Sequence, residues 1–564
     1  MSEWILGLGG SDHEFSAALM QGCDIRVAIE EERLSRRKHG YCFWYENPVG
    51  RSINYCLTAS GITLADVGAI VSSDLLPVRV QHALRDYDLK IFPHHLCHAA
   101  SAYMMLSTDT KAGILVYDGY GSIRNASETN SPRNLRQTFS FFLFGPEGYQ
   151  CIGSNFGSSY LEPDDFPTGV TNSIGMLYEM VTALLGFDLM DSGKTMGLSS
   201  HGQPRYLDVL EKFVEYGACP SKCFSCNTEN PEFGRKIEQI LTDGKRSFTV
   251  KADLAASLQM LVNKTLLHCA TFFSGYDINH FCISGGCGLN TVANSFLIEH
   301  SSLGVPISIP PHCSDAGIAF GALWLEQFAR KNGQAPSLTF RNRAVNYGIS
   351  RPGRLYTRAE CRGAVQEFYP RLFLDQAVRC CQDLANIIAS GAIVGVLSGG
   401  SEIGPRALGG RSIFADPRSA LAREKINRII KKREPFRPLA PIVLKSEYAK
   451  YFADDRCADP FMLKVSRVHK HCITALPAVV HVDETARVQV VDDQYGDPFL
   501  IDLLRGFHKT TGVGVLLNTS FNRRGEPLVE SPLDAVDAFL GMGLDGLYLD
   551  GEFYRPASAV SPST

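Results

Sequence analysis

The sequence has no excess of positive charge. Its 55 Lys and Arg residues against 59 Asp and Glu give a formal net charge of −4 and a pI of about 6.4. A protein of this composition has no overall positive field to attract nucleic acid or an anionic membrane. We therefore expect neither as a partner, and each local basic cluster needs its own explanation.

The chain also lacks long hydrophobic runs and a leader pattern. No apolar stretch approaches the roughly 20 residues that span a bilayer. The N-terminal residues MSEWILGLGGSDHE contain no basic region followed by a long apolar one. The 17 cysteines are scattered, as is typical of reduced thiols in the cytosol. These features predict a cytoplasmic protein.

Several common motifs are incomplete. The SGKT sequence around Lys194 does not fulfil the GxxxxGK[ST] pattern of a P-loop, and no Glu lies between His94 and His98 to make HExxH. The cysteines at 219, 223 and 226 have no matching second CxxC or His pair, which favours an ordinary loop over a zinc site.

Strand and helix patterns alternate along the 564 residues. The runs WILGLGG, FSAALMQG and DIRVAIEEE predict a β-meander, and residues 253–268 carry five apolar residues on one helical face. This alternation predicts an α/β fold, and the length predicts more than one domain. Residues 333–356 are polar and rich in Pro, Gly and Asn, so we place a boundary at about 350, between domains 1–350 and 351–564.

Candidate metal ligands lie in the first half. His94 and His98 in PHHLCHAA are one helical turn apart, so both imidazoles can reach one ion, although two ordinary helix histidines are the alternative. Asp118 follows an apolar run and precedes glycines, and Asp315 lies where a helix is predicted to begin. Either aspartate also suits a turn or a helix cap. Two His and two Asp together suit Fe(II), Mn(II) or Zn(II).

Other candidates in this half concern a nucleotide. Gly285 and Gly286 in SGGCGLN would let a nucleotide lie against the backbone, with Asn290 reaching a ribose or base, but a glycine pair is weak evidence. His13 is isolated and has a structural interpretation as well as a functional one.

The second half contains arginines grouped in loops. They occur in GPRALGGRS, KREPFRP, HVDETARVQ and NTSFNRRGEP, beside Gly, Pro and amide or hydroxyl side chains. Arginine binds phosphate with two parallel hydrogen bonds, so converging loops of this type predict a pocket for a polyanionic small molecule. Separate surface ion pairs are the alternative. RNA binding would require a broad basic face with exposed aromatics, which is not evident.

Taken together and in this order, these motifs resemble those of the O-carbamoyltransferases of natural-product and nodulation-factor biosynthesis. The resemblance extends over almost the whole chain and includes EEERLSRRKHG (30–40), HHLCHAASAY (94–103), DGYG (118–121), SGKTMGL (192–198) and CSDAGIAFGA (313–322). It implies two parts: an actin/Hsp-like (ASKHA) duplicated domain similar to the tRNA threonylcarbamoyl-transfer protein, and a C-terminal YrdC-like α/β domain.

The resemblance implies roles for individual residues. His94, His98, Asp118 and Asp315 would hold Fe(II) or another divalent metal. ATP, with Mg, and carbamoyl phosphate would be bound by these residues: Lys194, Gly197, Gly285, Gly286 and Asn290 in the first domain, and Arg406, Arg411, Lys432, Arg433, Arg437, Arg487, Asn518, Ser520, Asn522 and Arg524 in the second. The candidate catalytic residues are His13, as general base, and Lys38 and His39, in a motif facing the acceptor or the intermediate.

This chain departs from the family at a few positions. The family usually reads GRxE before GPRALG, but Gly400-Ser401-Glu402 lacks that arginine. The family usually has Asn where this chain has Gly410. The missing arginine puts one anion contact in doubt.

The expected reaction is ATP-dependent carbamoyl transfer to a hydroxyl of a small molecule. Carbamoyl adenylate would form in the C-terminal domain, and the metal site would then transfer the carbamoyl group with release of AMP. The alternatives are a tRNA threonylcarbamoyl transferase, a sugar kinase and a non-enzymatic actin-like scaffold. The sequence does not identify the acceptor; a homodimer is one expectation for the oligomeric state.

Overall fold

Strands and helices alternate along the chain, so the predicted α/β class is confirmed. The structure, a computed structural model, describes residues 3–11, 13–41, 43–47, 49–126, 133–159, 169–188, 190–227, 229–340 and 345–557. None of the helices in these ranges is long and apolar enough to cross a membrane.

The strands have the following bounds: β1 Trp4–Gly9, β2 Ser16–Gln21, β3 Asp24–Glu30, β4 Val67–Ser73, β5 Leu89–Phe92, β6 Ala112–Tyr117, β7 Ile123–Arg124, β8 Leu135–Gly145, β9 Gly148–Ser158, β10 Val214–Tyr216, β11 Phe224–Cys226, β12 His280–Ser284, β13 Ile307–Ser308, β14 Thr339–Phe340, β15 Leu372–Leu374, β16 Val394–Leu397, β17 Arg411–Ala415, β18 Ala440–Leu444, β19 Ser466–Arg467, β20 Thr485–Ala486, β21 Gln489–Val491, β22 Val515–Ser520, β23 Gly546–Leu549 and β24 Glu552–Pro556.

The α-helices have the following bounds: α1 Glu31–Ser35, α2 Arg51–Ser60, α3 Val78–Ala83, α4 His94–Tyr103, α5 Ile174–Leu184, α6 Ser192–Ser199, α7 Leu207–Glu211, α8 Pro231–Asp243, α9 Phe248–Thr271, α10 Thr291–His300, α11 Ile318–Arg330, α12 Val345–Ser350, α13 Arg358–Glu367, α14 Cys381–Ala389, α15 Ala420–Glu424, α16 Lys445–Tyr451, α17 Pro498–Thr511 and α18 Pro532–Met542. A π-helical turn, Lys425–Ile430, directly follows α15.

The chain forms two compact units, of which the first contains residues 1–16 and 67–338. In this unit β1, β4 and β5 run parallel, and a second sheet has the order β13-β12-β6-β8-β7, with β9 paired to β8. Helix α11 packs against α4 and β1. Its Trp324 is fully buried, with ring centroids 5.5 Å from Tyr103 and 5.7 Å from Phe144. This aromatic cluster fixes α4 and α11 against β8.

The second unit contains residues 17–66 and 339–564 and is built on a mixed sheet of order β15-β24-β23-β16-β17-β22-β18-β21. Successive strand residues face opposite layers. Val396 and Phe414 pack with α14 and α17, whereas Leu397 and Ile413 pack with α13 and α18. Helices therefore cover both faces of the sheet.

The units differ from the ranges expected from the sequence in two places, because residues 17–66 and residues 339–350 both belong to the second unit. Residues 17–66 group with the C-terminal residues, although the sequence placed them in a continuous domain 1–350. Long-range contacts within the second unit explain this. Arg33, for example, donates a hydrogen bond to the carbonyl of Gly404. No periodicity in a linear sequence reports a contact over such a separation.

The elements that carry the candidate residues agree with the sequence predictions. The predicted meander corresponds to β1, β2 and β3, the helix predicted over 253–268 lies within α9, and Asp118 directly follows β6. Asp315 begins a short 3-10 turn, Asp315–Gly317, that leads into α11. The cysteines at 219, 223 and 226 do not form a metal-binding group in the described part of the chain.

Candidate metal centre and anion site

Two imidazoles and two carboxylates converge in the first unit. The Nε2 atom of His94 lies 3.6 Å from Asp118 Oδ2 and 3.4 Å from Asp315 Oδ1. His98 Nε2 lies 3.4 Å from each of the same two oxygens. One ligand atom from each of the four residues lies within 4.8 Å of every other, and all four residues are buried. The structure thus brings together the four residues that the sequence singled out as ligands.

Neighbouring groups orient the Asp118 carboxylate. Its Oδ1 atom accepts hydrogen bonds from the backbone N–H of Gly119 at 2.8 Å and of Gly286 at 3.0 Å. Gly286 can approach because Gly285 has φ +92, and a Cβ at 285 would lie 2.3 Å from the Tyr117 carbonyl oxygen. The glycine pair therefore holds Asp118, which leaves Oδ2 directed at the histidines.

His94 is oriented in a similar way. Nδ1 of His94 lies 3.2 Å from Ser73 Oγ, and the His94 backbone N–H donates to Asp74 Oδ1 and Ser122 Oγ. The Nε2 atoms of His94 and His98 are buried and have no hydrogen-bond partner among the described residues. A divalent cation about 2.1 Å from each ligand atom would satisfy both nitrogens and fits oxygen–nitrogen distances of 3.4–3.6 Å.

Electrostatics around the cluster also suit a cation. Burial disfavours charge, yet the carboxylates of Asp315 and Asp118 raise the pKa of His94 to about 10. In return, and against the effect of burial, His94 and His98 hold the pKa of both carboxyls below their usual range. The negative charge of the carboxylates thus favours protonated histidines when no metal ion is bound, and a metal ion would replace those protons.

The residues predicted to bind a nucleotide in this unit have different environments. Asn290 caps α10 through Ala293 N–H and exchanges two hydrogen bonds, at 3.0 and 3.1 Å, with the amide of Gln259. These contacts engage its side chain within the fold, and its predicted contact with a ribose or base stays a prediction. Lys194 Nζ lies 2.6 Å from Asp191 Oδ2, and Gly197 is buried in α6.

The three candidate catalytic residues lie in different units. His13 is half-buried in the first unit, where its charge helps to lower the pKa of Asp315, so it belongs to the surroundings of the metal cluster. Lys38 and His39 lie in the second unit. Lys38 is exposed, and the backbone N–H of His39 donates to Glu32 Oε2 at 2.6 Å.

A cluster of cations converges in the second unit. Burial, together with the positive charges of Arg406, Arg433 and Arg437, lowers the pKa of Arg487 well below its usual range. Burial and the charge of Arg437 lower the pKa of Arg433 to about 9. The Nε atom of Arg487 is buried without a hydrogen-bond partner among the described residues. We call Arg406, Arg433, Arg437 and Arg487 the arginine cluster; its like charges favour a bound anion.

Lys431 is a functional candidate that the sequence reasoning missed. It is buried, and its ammonium group donates to Ser520 Oγ at 3.2 Å and to Asn522 Oδ1 at 2.7 Å. Burial, and then Arg433 and Arg437, lower its pKa well below the usual value. The neighbouring Lys432, which the sequence favoured, is exposed. The π-helical turn before these lysines alters the helical phase, so periodicity could not have distinguished them.

The remaining residues of this unit that were predicted to bind the co-substrates differ in their burial. Arg411 is fully buried and donates to the carbonyl oxygens of Gly399, Gly410 and Glu530, so its side chain holds loops together and lies outside the arginine cluster. Asn518 donates to Ala407 and Gln489. Arg524 is exposed.

The chain belongs to the carbamoyltransferase family and is a carbamoyltransferase. Residues 75–324 match the family model of the carbamoyltransferase N-terminus, and residues 385–555 match that of the carbamoyltransferase C-terminus. The resemblance inferred from the sequence motifs is therefore confirmed.

Within this family the chain is similar to nodulation proteins. It is 32% identical to the nodulation protein NolNO of Sinorhizobium fredii, over 98% of this chain and 80% of that protein. It is also 32% identical to the nodulation protein NolO of Bradyrhizobium diazoefficiens, over 82% of this chain and 79% of that protein.

Likeness to solved structures is weaker. A crystal structure of full-length HypF in its phosphate- and nucleotide-bound form aligns with 59% of this chain and 56% of that chain, at 15% identity and a TM-score of 0.34. A TM-score this low does not assign either unit to a fold family, so the ASKHA-like and YrdC-like identities stay predictions.

Proposed function

We propose that this carbamoyltransferase uses ATP and carbamoyl phosphate to carbamoylate a hydroxyl group of a small molecule. The convergence of His94, His98, Asp118 and Asp315 on a space suited to one cation carries the proposal. A buried N/O donor set of this type suits Fe(II) or another divalent metal. The arginine cluster of the second unit adds a site suited to phosphate-bearing co-substrates.

The activation step belongs to the second unit in this proposal. Water cleaves carbamoyl phosphate to carbamate and inorganic phosphate. A carbamate oxygen then attacks the α-phosphorus of ATP, and the bond to the β-phosphate breaks, which gives carbamoyl adenylate and pyrophosphate. Arg433 and Arg487 stabilise the negative charge on the transferring oxygens, and Lys431 holds Ser520 and Asn522 beside them.

The transfer step belongs to the metal cluster of the first unit. A bound divalent cation would act there as Lewis acid and template. The acceptor hydroxyl attacks the carbamoyl carbon, its proton passes to a general base, and AMP leaves with the bonding electrons. His13 is our candidate for the base, because it lies near enough to Asp315 to influence the pKa of that carboxyl. Lys38 and His39 are proposed to contact the acceptor or the intermediate.

The acceptor is proposed to be a small alcohol. Membership of the carbamoyltransferase family sets aside the sugar-kinase and scaffold alternatives. A tRNA acceptor is the competing possibility within carbamoyl chemistry, and it would require a basic surface that a net charge of −4 does not favour. Transfer to tRNA, with no transfer to small alcohols, would support that alternative.

The two steps can be separated by one pair of variants. His94→Ala should abolish transfer and AMP release but keep carbamoyl-phosphate-dependent exchange of pyrophosphate into ATP. Arg487→Gln should lose that exchange but still use chemically prepared carbamoyl adenylate as donor. Loss of both activities in each variant, or AMP release at full rate without carbamoyl phosphate, would contradict the two-step scheme.

A further inference from the structure

The side chains of Glu30 and Arg33 hold one residue of the second unit on both sides. The backbone N–H of Gly404 donates to Glu30 Oε1 at 2.5 Å, and the Gly404 carbonyl accepts from Arg33 Nη2 at 2.6 Å. Arg33 also donates to Glu30 Oε1 at 3.1 Å and to Glu32 Oε1 at 2.5 Å. Both backbone groups of Gly404 are therefore held by one buried ion pair.

Gly404 begins the loop that carries Arg406 into the arginine cluster. The other end of this loop is held by Glu402, whose Oε1 accepts the backbone N–H of Leu408 at 2.8 Å and of Gly410 at 2.7 Å. Arg406 projects between these two attachments, against the positive charge of Arg487. Repulsion within the cluster would displace an unsupported loop, and buried hydrogen bonds to charged groups oppose that displacement.

Arg36, one turn further along, reaches a second loop. Its guanidinium donates to the carbonyl of Leu528 at 2.5 Å and to that of Pro527 at 3.0 Å. These residues end the loop that begins with Ser520 and Asn522, the two partners of Lys431. Residues 30–36 thus contact both loops that supply polar groups to the anion site, and they do so through backbone atoms of the loops.

The burial of this network requires an explanation. Arg33 is fully buried, and a buried ion pair is often no more stabilising than apolar residues of the same volume. Charged side chains make directional hydrogen bonds that fix the positions of backbone atoms, and apolar side chains cannot do so. The network lies beside the loops of the anion site, which indicates that its function is to fix the positions of those loops.

We propose that Glu30, Arg33 and Arg36 are positioning residues of the anion site, which hold the loops 404–411 and 520–528 in the arrangement that binds phosphate groups. The inference rests on the proposed function in one respect: the ligand of the arginine cluster is taken to be phosphate-bearing. The three side chains themselves do not contact the co-substrates.

Inorganic pyrophosphate is the probe for the test, because its binding requires no turnover. Dissociation constants are measured by calorimetry on the full chain for Glu30→Gln, Arg36→Gln and the control Arg37→Gln. Arg37 lies in the same segment, with 61% of its side chain exposed and an ion pair to the exposed Glu46. We expect at least tenfold weaker binding for the first two variants and unchanged binding for the control. Unchanged binding in Arg36→Gln, which is part-exposed and should fold, would overturn the proposal.

A double-mutant cycle separates positioning from general destabilisation. If Glu30 acts through the loop that carries Arg406, then Glu30→Gln should cause little further loss of pyrophosphate binding in an Arg406→Ala background. Arg36→Gln acts on the other loop, so its effect should persist there. Fully additive losses for Glu30→Gln would contradict the proposed route. Wild-type protein that binds pyrophosphate without supporting carbamoyl-phosphate-dependent exchange would refute the proposed function alone.

Discussion

At the scale of single residues, the two carboxylate oxygens of Asp118 have different roles: one is held by the backbone and the other faces the histidines of the metal cluster. One oxygen accepts two backbone N–H groups, and the other lies 3.4 Å from His98 Nε2. The backbone donors do not depend on the side chains at 119 and 286, so that only proline at either position would remove one. The metal-facing oxygen can be changed selectively, because an asparagine retains the shape of the side chain without its charge.

The first prediction concerns Asp118→Asn. We expect the purified variant to retain its fold and to lose metal affinity by about tenfold or more, because one anionic ligand is replaced by a neutral amide. Metal content after dialysis at fixed free metal, measured by elemental analysis, tests this. His95→Gln is the matched control: His95 is on the same helix, but its Nδ1 lies 2.8 Å from Ser140 Oγ and it is not in the cluster. Equal metal loss in both variants would contradict the assignment.

The second prediction concerns pH. Because the carboxylates raise the pKa of His94 from 6.5 to about 10, the ion-free cluster keeps protons that a metal must displace. The stabilising effect of protonated His94 is full below pH 6.5 and is lost towards pH 10. Metal binding should therefore release protons and become tighter as pH rises from 6.5 to 8.5. Calorimetry in buffers of different ionisation enthalpy measures this release, and a pH-independent affinity would refute it.

At the scale of secondary-structure elements, the turn before β17 leaves little room for a side chain at position 410. A Cβ on Gly410 would lie 2.7 Å from Arg351 Nε and from the Gly400 carbonyl oxygen. Arg351 is fully buried, pairs with Asp497 and donates to the Gly400 carbonyl at 3.1 Å. A buried guanidinium thus occupies the space that a side chain at 410 would need.

The third prediction follows for Gly410→Ala. We expect a loss of about 1–3 kcal/mol in the free energy of unfolding, because the added methyl group must displace packed backbone or Arg351. Gly363→Ala is the control, since Gly363 is inside α13 with nothing within 4 Å of a built Cβ. Alanine should stabilise that helix by up to about 1 kcal/mol. Denaturant melts compare the two, and similar unfolding midpoints would contradict the packing argument.

Much of the fold at this scale could be predicted from the sequence. Local hydrophobic alternation located β1, β2 and β3, and the apolar face of residues 253–268 located α9. The strand partners could not be predicted in the same way. β16, for instance, pairs in parallel with β23, far along the chain. Pairing depends on which distant strands share a buried layer, and residue pattern alone does not report it.

At the scale of the whole molecule, a chain of net charge −4 contains a local cluster of four arginines, whose like charges lower the pKa of Arg487 and of Arg433. Average charge therefore says little about the sites of this enzyme. The arginine cluster is a repulsive arrangement in the absence of an anion, and an anion that binds it should stabilise the folded state by mass action.

The fourth prediction is stabilisation by pyrophosphate. At about 100 times its dissociation constant we expect a gain of about 2.7 kcal/mol and a clear rise in melting temperature. Sodium chloride at the same ionic strength is the control, and Arg487→Gln should show a much smaller rise. Calorimetric melting provides the measurement. A rise of equal size in Arg487→Gln would mean that pyrophosphate binds elsewhere.

The sequence by itself determined the family, the α/β class and the chemical types of the candidate residues, because motif order and local periodicity are properties of the linear chain. Only the tertiary structure decided which of them act together. It brought Asp118 and Asp315 to the same histidines, buried Lys431 in place of Lys432, and gave Arg411 and Asn290 hydrogen-bond partners within the chain. Such choices depend on packing between separate segments of the chain, where volume and unsatisfied hydrogen bonds decide each side chain's environment.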